Sequence, residues 1–151
     1  MRKTLILGLG NTILCDDGVG IRIAQEIKKR CKNIDIIEAS AAGFRVIDEI
    51  IGYEKLILID SIKTECIKPG TLHKYSFNEF NKTKHHSQPH DISFIEAFEI
   101  IKQHGDKVPS IVEIYAVEVS DTTTLSEKCT IEVENAIPLI AKKIIEEQSL
   151  I

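Results

Sequence analysis

No stretch of this 151-residue chain approaches the roughly 18 consecutive apolar residues that a membrane-spanning helix requires, which excludes an α-helical membrane protein. The start, Met1-Arg2-Lys3 followed by Leu5-Ile6-Leu7, has the polarity of a secretory signal. Its apolar run is shorter than the roughly 7 to 15 residues such a signal needs, and Asn11, Asp16 and Asp17 follow at once. Cys15, Cys31, Cys66 and Cys129 include no C-x-x-C pair, so neither a redox nor a zinc-binding cysteine motif is present. Widely separated free thiols suit a reducing compartment, and a cytoplasmic location is expected. Positive charge is not in excess either. A net charge of -4 argues against a nucleic-acid partner, because phosphate binding calls for a concentrated basic surface. The one basic cluster, Lys28-Lys29-Arg30, falls at a helix end, where cations complement the dipole. Internal repeats, low-complexity segments and linkers are all lacking, which leaves a single domain over residues 1–151.

What the chain does contain is enough apolar residue for one core, 43% against 28% charged. Thr4 to Leu9 is a short apolar run ending in glycine-rich sequence, the pattern of a strand buried on both faces. From Val19, apolar residues recur at Ile23, Ile27 and Cys31, one side of a helix. A second strand is expected over Ile34 to Glu38, then a short helix between Gly43 and Gly52 with Phe44, Ile47 and Ile51 on one side. Lys55 to Asp60 forms a third strand, continuously apolar at Leu56-Ile57-Leu58-Ile59 and therefore central in a parallel sheet. Further along, a strand over Thr71 to Phe77, a polar loop over Asn78 to Pro89, and a helix from Asp91 carrying Ile95, Phe98 and Ile101 are predicted. A β-branched strand over Ile111 to Val119 follows. Leu125 to Gln148 closes the chain as a helical region with Ile131, Ala136, Ile137 and Ile140 apolar and a kink or break at Pro138. The sum is an α/β fold: a doubly wound, mostly parallel sheet with helices on both faces.

Gly8-Leu9-Gly10-Asn11-Thr12-Ile13 begins like the dinucleotide-binding G-x-G-x-x-G turn, but Ile13 stands where the third glycine belongs. Asp16 and Asp17 then occupy the helix entrance, where two carboxylates would repel a pyrophosphate. The turn instead delivers acids to the carboxyl end of strand one. A helix N-cap accounts for one aspartate and less well for two followed by Gly18-Val19-Gly20, whose glycines imply a close approach of backbone or partner.

Asp60 ends the most apolar strand, at the sheet edge where open α/β folds bind ligands. A strand order of 2-1-3 would bring it into one crevice with Asp17; a turn or cap role is the competing reading. His85-His86-Ser87-Gln88-Pro89-His90 gathers three of the five histidines into the polar loop, and such clusters also occur on solvated surfaces. Only His90 has a positioned backbone, between Pro89 and the helix start at Asp91; His73 and His104 have no supporting context. Two carboxylates and one imidazole make a mixed oxygen–nitrogen site suited to nickel or zinc rather than copper(I). Cys15 beside Asp16 reads as a small apolar residue rather than a nucleophile, and Glu38 as a strand-end charge.

Taken in order, Gly8-Leu9-Gly10-Asn11, Asp16-Asp17-Gly18-Val19-Gly20, Leu58-Ile59-Asp60 and Pro89-His90 resemble the hydrogenase maturation peptidases of the nickel–iron enzymes. The resemblance implies an α/β endopeptidase that removes a C-terminal extension from the hydrogenase large-subunit precursor after nickel insertion. It implies that Asp17, Asp60 and His90 are the catalytic and nickel-contacting positions, and that the nickel is carried by the precursor. The chain departs from the pattern in two places: Asp17 stands where some relatives have glutamate, and Ser40-Ala41-Ala42-Gly43 is less glycine-rich. Two other classes remain open: a nucleotide-binding oxidoreductase, supported by the first two glycines, and a non-catalytic chaperone of hydrogenase assembly.

Overall fold

The computed structural model describes residues 3–40, 44–82 and 89–151, with side chains described at all of these except 44, 81–82 and 89–93. Within them a five-stranded sheet runs in the order β2-β1-β3-β5-β4, built from β1 (Thr4–Leu9), β2 (Asp35–Ala39), β3 (Lys55–Ile62), β4 (Leu72–Ser76) and β5 (Ile111–Glu118). All pairings are parallel except that of β4 with β5. The expected 2-1-3 order is therefore present, and the fold is the doubly wound α/β arrangement.

The pleat sends alternate side chains to opposite faces, and each face acquires its own core. Ile6, Ile57, Ile59, Tyr115 and Val117 meet Val19, Ile23 and Ile27 of α1 (Val19–Arg30) and Val133, Ile137 and Ile144 of α5 (Ile131–Glu147). On the other face Leu5, Leu7, Leu56, Leu58 and Ile114 pack against Val46, Ile47 and Ile50 of α2 (Phe44–Ile50) and Phe94 and Phe98 of α4 (Pro89–Gln103). The working face of α2 thus uses Val46, Ile47 and Ile50; Ile51 lies just past the helix and is only half-buried.

Four expectations need correction. The region from Asn78 is not loop throughout: α3 (Phe77–Lys82) forms there because Ser76 and Glu79 cap each other reciprocally. The Ser76 amide donates to Glu79 Oε1 at 2.9 Å, and the Glu79 amide to Ser76 Oγ at 3.2 Å, an S-x-x-E capping box. Residues 83–88, with His85 and His86, lie outside the described residues. The last helix begins at Ile131 rather than Leu125, and Ile131 itself is 76% exposed. That helix also continues through Pro138 without a break. A helical proline costs about 3 kcal/mol, and burial of five valine and isoleucine side chains on the packed face, at roughly 1.5 to 3 kcal/mol each, outweighs it. Finally, β3 does not stop at Asp60 but runs two residues further, pairing Asp60 with Ala116 and Ile62 with Glu118.

Two features locate the chemistry. Gly20, in the first turn of α1, lets that helix sit directly on the carboxyl ends of β1 and β3. A Cβ there would lie 2.2 Å from the Ile59 carbonyl oxygen and 2.7 Å from that of Leu9. At the amino edge, by contrast, a polar cluster knits strands to α5. Glu113 pairs with Lys55 at 3.1 Å and Lys74 at 3.0 Å, and Gln148 donates to Glu113 at 2.8 Å and to the Tyr115 hydroxyl at 2.8 Å. Burial opposes ionisation of Glu113, but the hydrogen bonds from Gln148, Lys74 and Lys55 prevail and hold its pKa at about 2, against an ordinary 4.5.

Replacement of Gly20 by alanine is expected to cost about 3 kcal/mol or more, the upper range for overpacking, since both obstructing atoms are backbone; urea denaturation measures it. Glu113, with its folded pKa depressed, contributes stability that is complete above about 4.5 and is lost as pH falls towards about 2. Glu113→Gln should accordingly flatten part of the acid limb of a stability–pH profile and leave it unchanged in shape above pH 6 or so.

Candidate active site

The chain leaves β1 at Leu9 and returns as a 3₁₀ turn, Cys15–Gly18, that leads straight into α1. Gly10 permits this reversal. Its φ is +154°, and a Cβ would lie 2.1 Å from the Asp17 carbonyl oxygen. Within the loop the Leu14 amide donates to Asn11 O at 3.1 Å, the Ile13 amide to Asn11 Oδ1 at 3.1 Å, and the Asp17 amide to Leu14 O at 3.0 Å. Of the two readings the glycines left open, backbone or partner, the close approach at Gly10, Gly18 and Gly20 is that of the chain's own backbone.

Neither aspartate caps α1. The N-cap is Gly18, with no side-chain cap hydrogen bond, and both carboxylates are turned inward, with Asp16 0% and Asp17 1% exposed. They face different ways. Asp17 Oδ2 accepts the Asn11 amide at 2.9 Å, and Asp17 Oδ1 accepts the Ser61 hydroxyl at 3.4 Å. Asp16 receives donors from residues 120, 121 and 130 instead.

Asp60 is wholly buried, 0% exposed, and its Oδ1 accepts the Ser61 amide at 2.7 Å. Its place in the strand explains how it comes near Asp17. The β1–β3 pairing ends at Gly8 with Ile59, so Asp60 is the first residue of β3 beyond its parallel partner, where β1 has turned away into the Asp17 loop. Ser61 joins the two carboxylates, its hydroxyl to one and its amide to the other. Two acids far apart in sequence therefore meet at the carboxyl edge of the sheet, at the switch point between β1 and β3.

The backbone of His90 lies in the first turn of α4. That helix packs on the face carrying Leu56 and Leu58, to which Asp60 belongs by strand parity. Its far end leads to β5 at the amino edge, where the Ser110 amide donates to Glu54 O at 3.0 Å. A crossover helix of 15 residues runs about 22 Å back along the sheet, so its first turn belongs to the carboxyl edge. The His90 side chain lies outside the described residues. Among the described residues no group of three or more histidine, cysteine, aspartate or glutamate side chains is arranged to hold a metal ion.

Other candidates resolve into structural roles. Cys15 is buried, and its thiol is raised by burial and by neighbouring Asp16; burial and the same aspartate push Cys129 up to about 12. Such thiols stay protonated and make poor nucleophiles. Glu38 is exposed and accepts Gln25 at 3.0 Å. Glu118, which the sequence did not single out, is a further buried acid, but Thr64 supplies its amide at 2.9 Å and its hydroxyl at 2.7 Å. Ser61 was also missed: nothing in a serine after a strand-end aspartate announces that it will span to a loop 44 residues away.

A groove of about 520 Å³, lined by Thr12, Ile13, Arg22, Gln25, Glu127 and Lys128 among others, flanks the Asp17 loop. A larger one of about 580 Å³ lies between Lys74–Glu79 and Pro109–Glu113, at the start of β5 and away from both carboxylates. Neither groove is lined by Asp17 or Asp60, so neither is assigned to the candidate site.

Residues 21–147 match the hydrogenase maturation protease family, HycI. The chain is 29% identical over 73 residues to the hydrogenase 2 maturation protease of Escherichia coli, covering 46% of this chain and 44% of that protein. It is 32% identical over 92 residues to a putative hydrogenase maturation protease of Methanocaldococcus jannaschii, 57% of this chain and 58% of the relative. These alignments span about half the length of the curated relatives. Among solved structures, the hydrogenase maturating endopeptidase HybD of Escherichia coli superposes with a TM-score of 0.84 at 21% identity, covering 99% of this chain and 93% of that one. HybD of Thermococcus kodakarensis, a nickel–iron hydrogenase maturation protease, superposes with a TM-score of 0.78 at 23% identity, covering 98% and 99%. At such identities the structural likeness is one of fold. With the family match extending over most of the chain, from the first turn of α1 to the end of α5, this protein belongs to the hydrogenase maturation protease family.

Proposed function

We propose that this chain is an endopeptidase that removes the C-terminal extension of a nickel–iron hydrogenase large-subunit precursor after nickel has been inserted. The observation that carries the reading is the meeting of Asp17 and Asp60, both buried, across Ser61 at the carboxyl edge of the sheet, in a chain of this family. The nickel is part of the substrate. Asp17, Asp60 and His90 are the residues that engage it, so that the presence of metal in the precursor licenses the cut.

The donor set fits that task. Ionised carboxylates are acceptor-only groups, and two of them with an imidazole suit a borderline cation such as nickel. Substrate-borne nickel supplies either Lewis acidity at the scissile carbonyl or a fixed docking point. The chain's own contribution is positioning. The Asn11 amide and the Ser61 hydroxyl orient Asp17, and the Ser61 amide orients Asp60. Carboxylates held in this way can accept a proton from a water molecule at the scissile bond.

The dinucleotide alternative loses its physical basis in this geometry. The Asn11 amide, which a pyrophosphate would use, is already given to Asp17, and Gly10 and Gly20 are filled in against backbone oxygens. The proposal takes a hydrogenase large-subunit precursor as the partner and the cytoplasm as the site of action, which the family membership supports. Among the described residues, no helix is long and apolar enough to cross a membrane.

Incubation of the purified protein with nickel-loaded precursor should release a product shortened at its C-terminus, read by intact mass. Asp17→Asn, Asp60→Asn and His90→Ala should each remain folded and lose about 100-fold or more in processing rate, the scale of a lost acid–base or ligand group. Full processing by all three would overturn the assignment. Nickel-free precursor is expected to remain uncut; its efficient cleavage would eliminate metal as the recognition element.

A further inference from the structure

We propose that Asp16 is a positioning residue: it clamps residues 120–130 onto the 3₁₀ turn and thereby determines where the adjacent Asp17 is delivered. The buried Asp16 carboxylate accepts three backbone amides, from Thr130 at 2.7 Å on Oδ1 and from Ser120 and Asp121, each at 3.1 Å, on Oδ2. The hydroxyls of Ser120 at 3.3 Å and Thr130 at 2.9 Å donate to it as well, and the Cys15 thiol lies at 3.8 Å from Oδ1. The stitching also runs the other way, since the Asp16 amide donates to Asp121 O at 2.9 Å and the Cys15 amide to Ser126 O at 3.0 Å. Arg22 adds a brace by donating to the carbonyls of both Thr12, at 3.3 Å, and Glu127.

The paired acids therefore divide their labour. Asp17 accepts the Asn11 amide of its own loop and the Ser61 hydroxyl. Asp16 binds a segment more than 100 positions away along the chain. A carboxylate is required at position 16 because backbone N–H donors face both of its oxygens. An asparagine of the same shape would turn an NH₂ group against at least one of them. The clamp also accounts for Cys15, which holds a left-handed backbone with φ 52°. Such a conformation persists in a non-glycine residue only where its surroundings over-determine it, and its neighbour is fixed from five donors. Releasing Asp16 lets the turn relax, and Asp17 moves with it.

The kinetic consequence rests on the peptidase reading above; the displacement of Asp17 does not. In the full-length protein, held well below its unfolding transition, Asp16→Asn should lower kcat on nickel-loaded precursor by about tenfold or more with KM nearly unchanged. Ångström-scale misplacement of a reacting group has effects of that order. A residue that only stabilised the fold would leave kcat per folded molecule intact. Independently of activity, the Asn11 backbone amide reports on Asp17 Oδ2, and its ¹⁵N–¹H resonance should shift in the variant while those of central β3 residues such as Leu58 stay in place. If Asp16→Asn does not fold, the double variant Ser120→Ala, Thr130→Ala removes only the hydroxyl donors and retains the amides. It should shift the Asn11 resonance in part and slow kcat by about threefold. An unmoved Asn11 amide in folded variants, or wild-type kcat in an otherwise active protein, overturns the clamp. A wild-type protein that cleaves no precursor condemns the peptidase reading, and the Asn11 resonance still decides the role of Asp16.

Discussion

Three aspartate carboxylates are removed from water at one edge of a small sheet, and most of the surrounding architecture follows from that constraint. A buried ionised carboxylate costs several kcal/mol unless it is met by donors or opposite charge. At Asp16 backbone amides meet the cost, which requires the 120–130 segment to lie against the 3₁₀ turn. At Asp17 and Asp60 Ser61 contributes to both, which requires β1 and β3 to be neighbours with their ends in register. Gly20 allows α1 to close over that junction, because any side chain there would collide with Ile59 and Leu9 carbonyls.

The two edges of the sheet are consequently unlike. At the amino edge Glu113, Lys55, Lys74, Tyr115 and Gln148 satisfy one another, with charges of both signs, and the cluster ties α5 to the strands. At the carboxyl edge the contacts are of another kind: backbone amides and hydroxyls donate to Asp16, Asp17 and Asp60, and Arg22 donates to the carbonyls of Thr12 and Glu127.

Much of this was readable along the chain. The continuous apolar run at Leu56–Ile59 is that of a strand covered on both faces, and β3 is central. The four-residue recurrence from Val19 to Cys31 is the buried stripe of α1. Where the reading failed, a local or distant term had been left out. The Ser76–Glu79 capping box is a short-range signal inside a stretch whose polarity reads as loop. Ile131 belongs to an apolar pattern, yet α5 meets the sheet through Val133, Ile137 and Ile144, leaving Ile131 outside. Pro138 breaks an isolated helix, but this helix is held from one side by its core.

The sequence by itself determined the alternation of strands and helices, the two layers of core and the presence of acids where β1 and β3 end, because periodicity and turn chemistry are local properties. Spacing and composition did not distinguish Asp16 from Asp17, two identical side chains on adjacent residues, and only the family resemblance favoured Asp17. The tertiary structure supplies the physical difference between them: a 3₁₀ turn points one towards residues 120–130 and the other towards Ser61. It likewise decided that Gly18 and Gly20 serve the chain's own backbone, and that β4 runs antiparallel at the edge. These are outcomes of contacts between segments far apart in sequence, and no pattern within either segment encodes them.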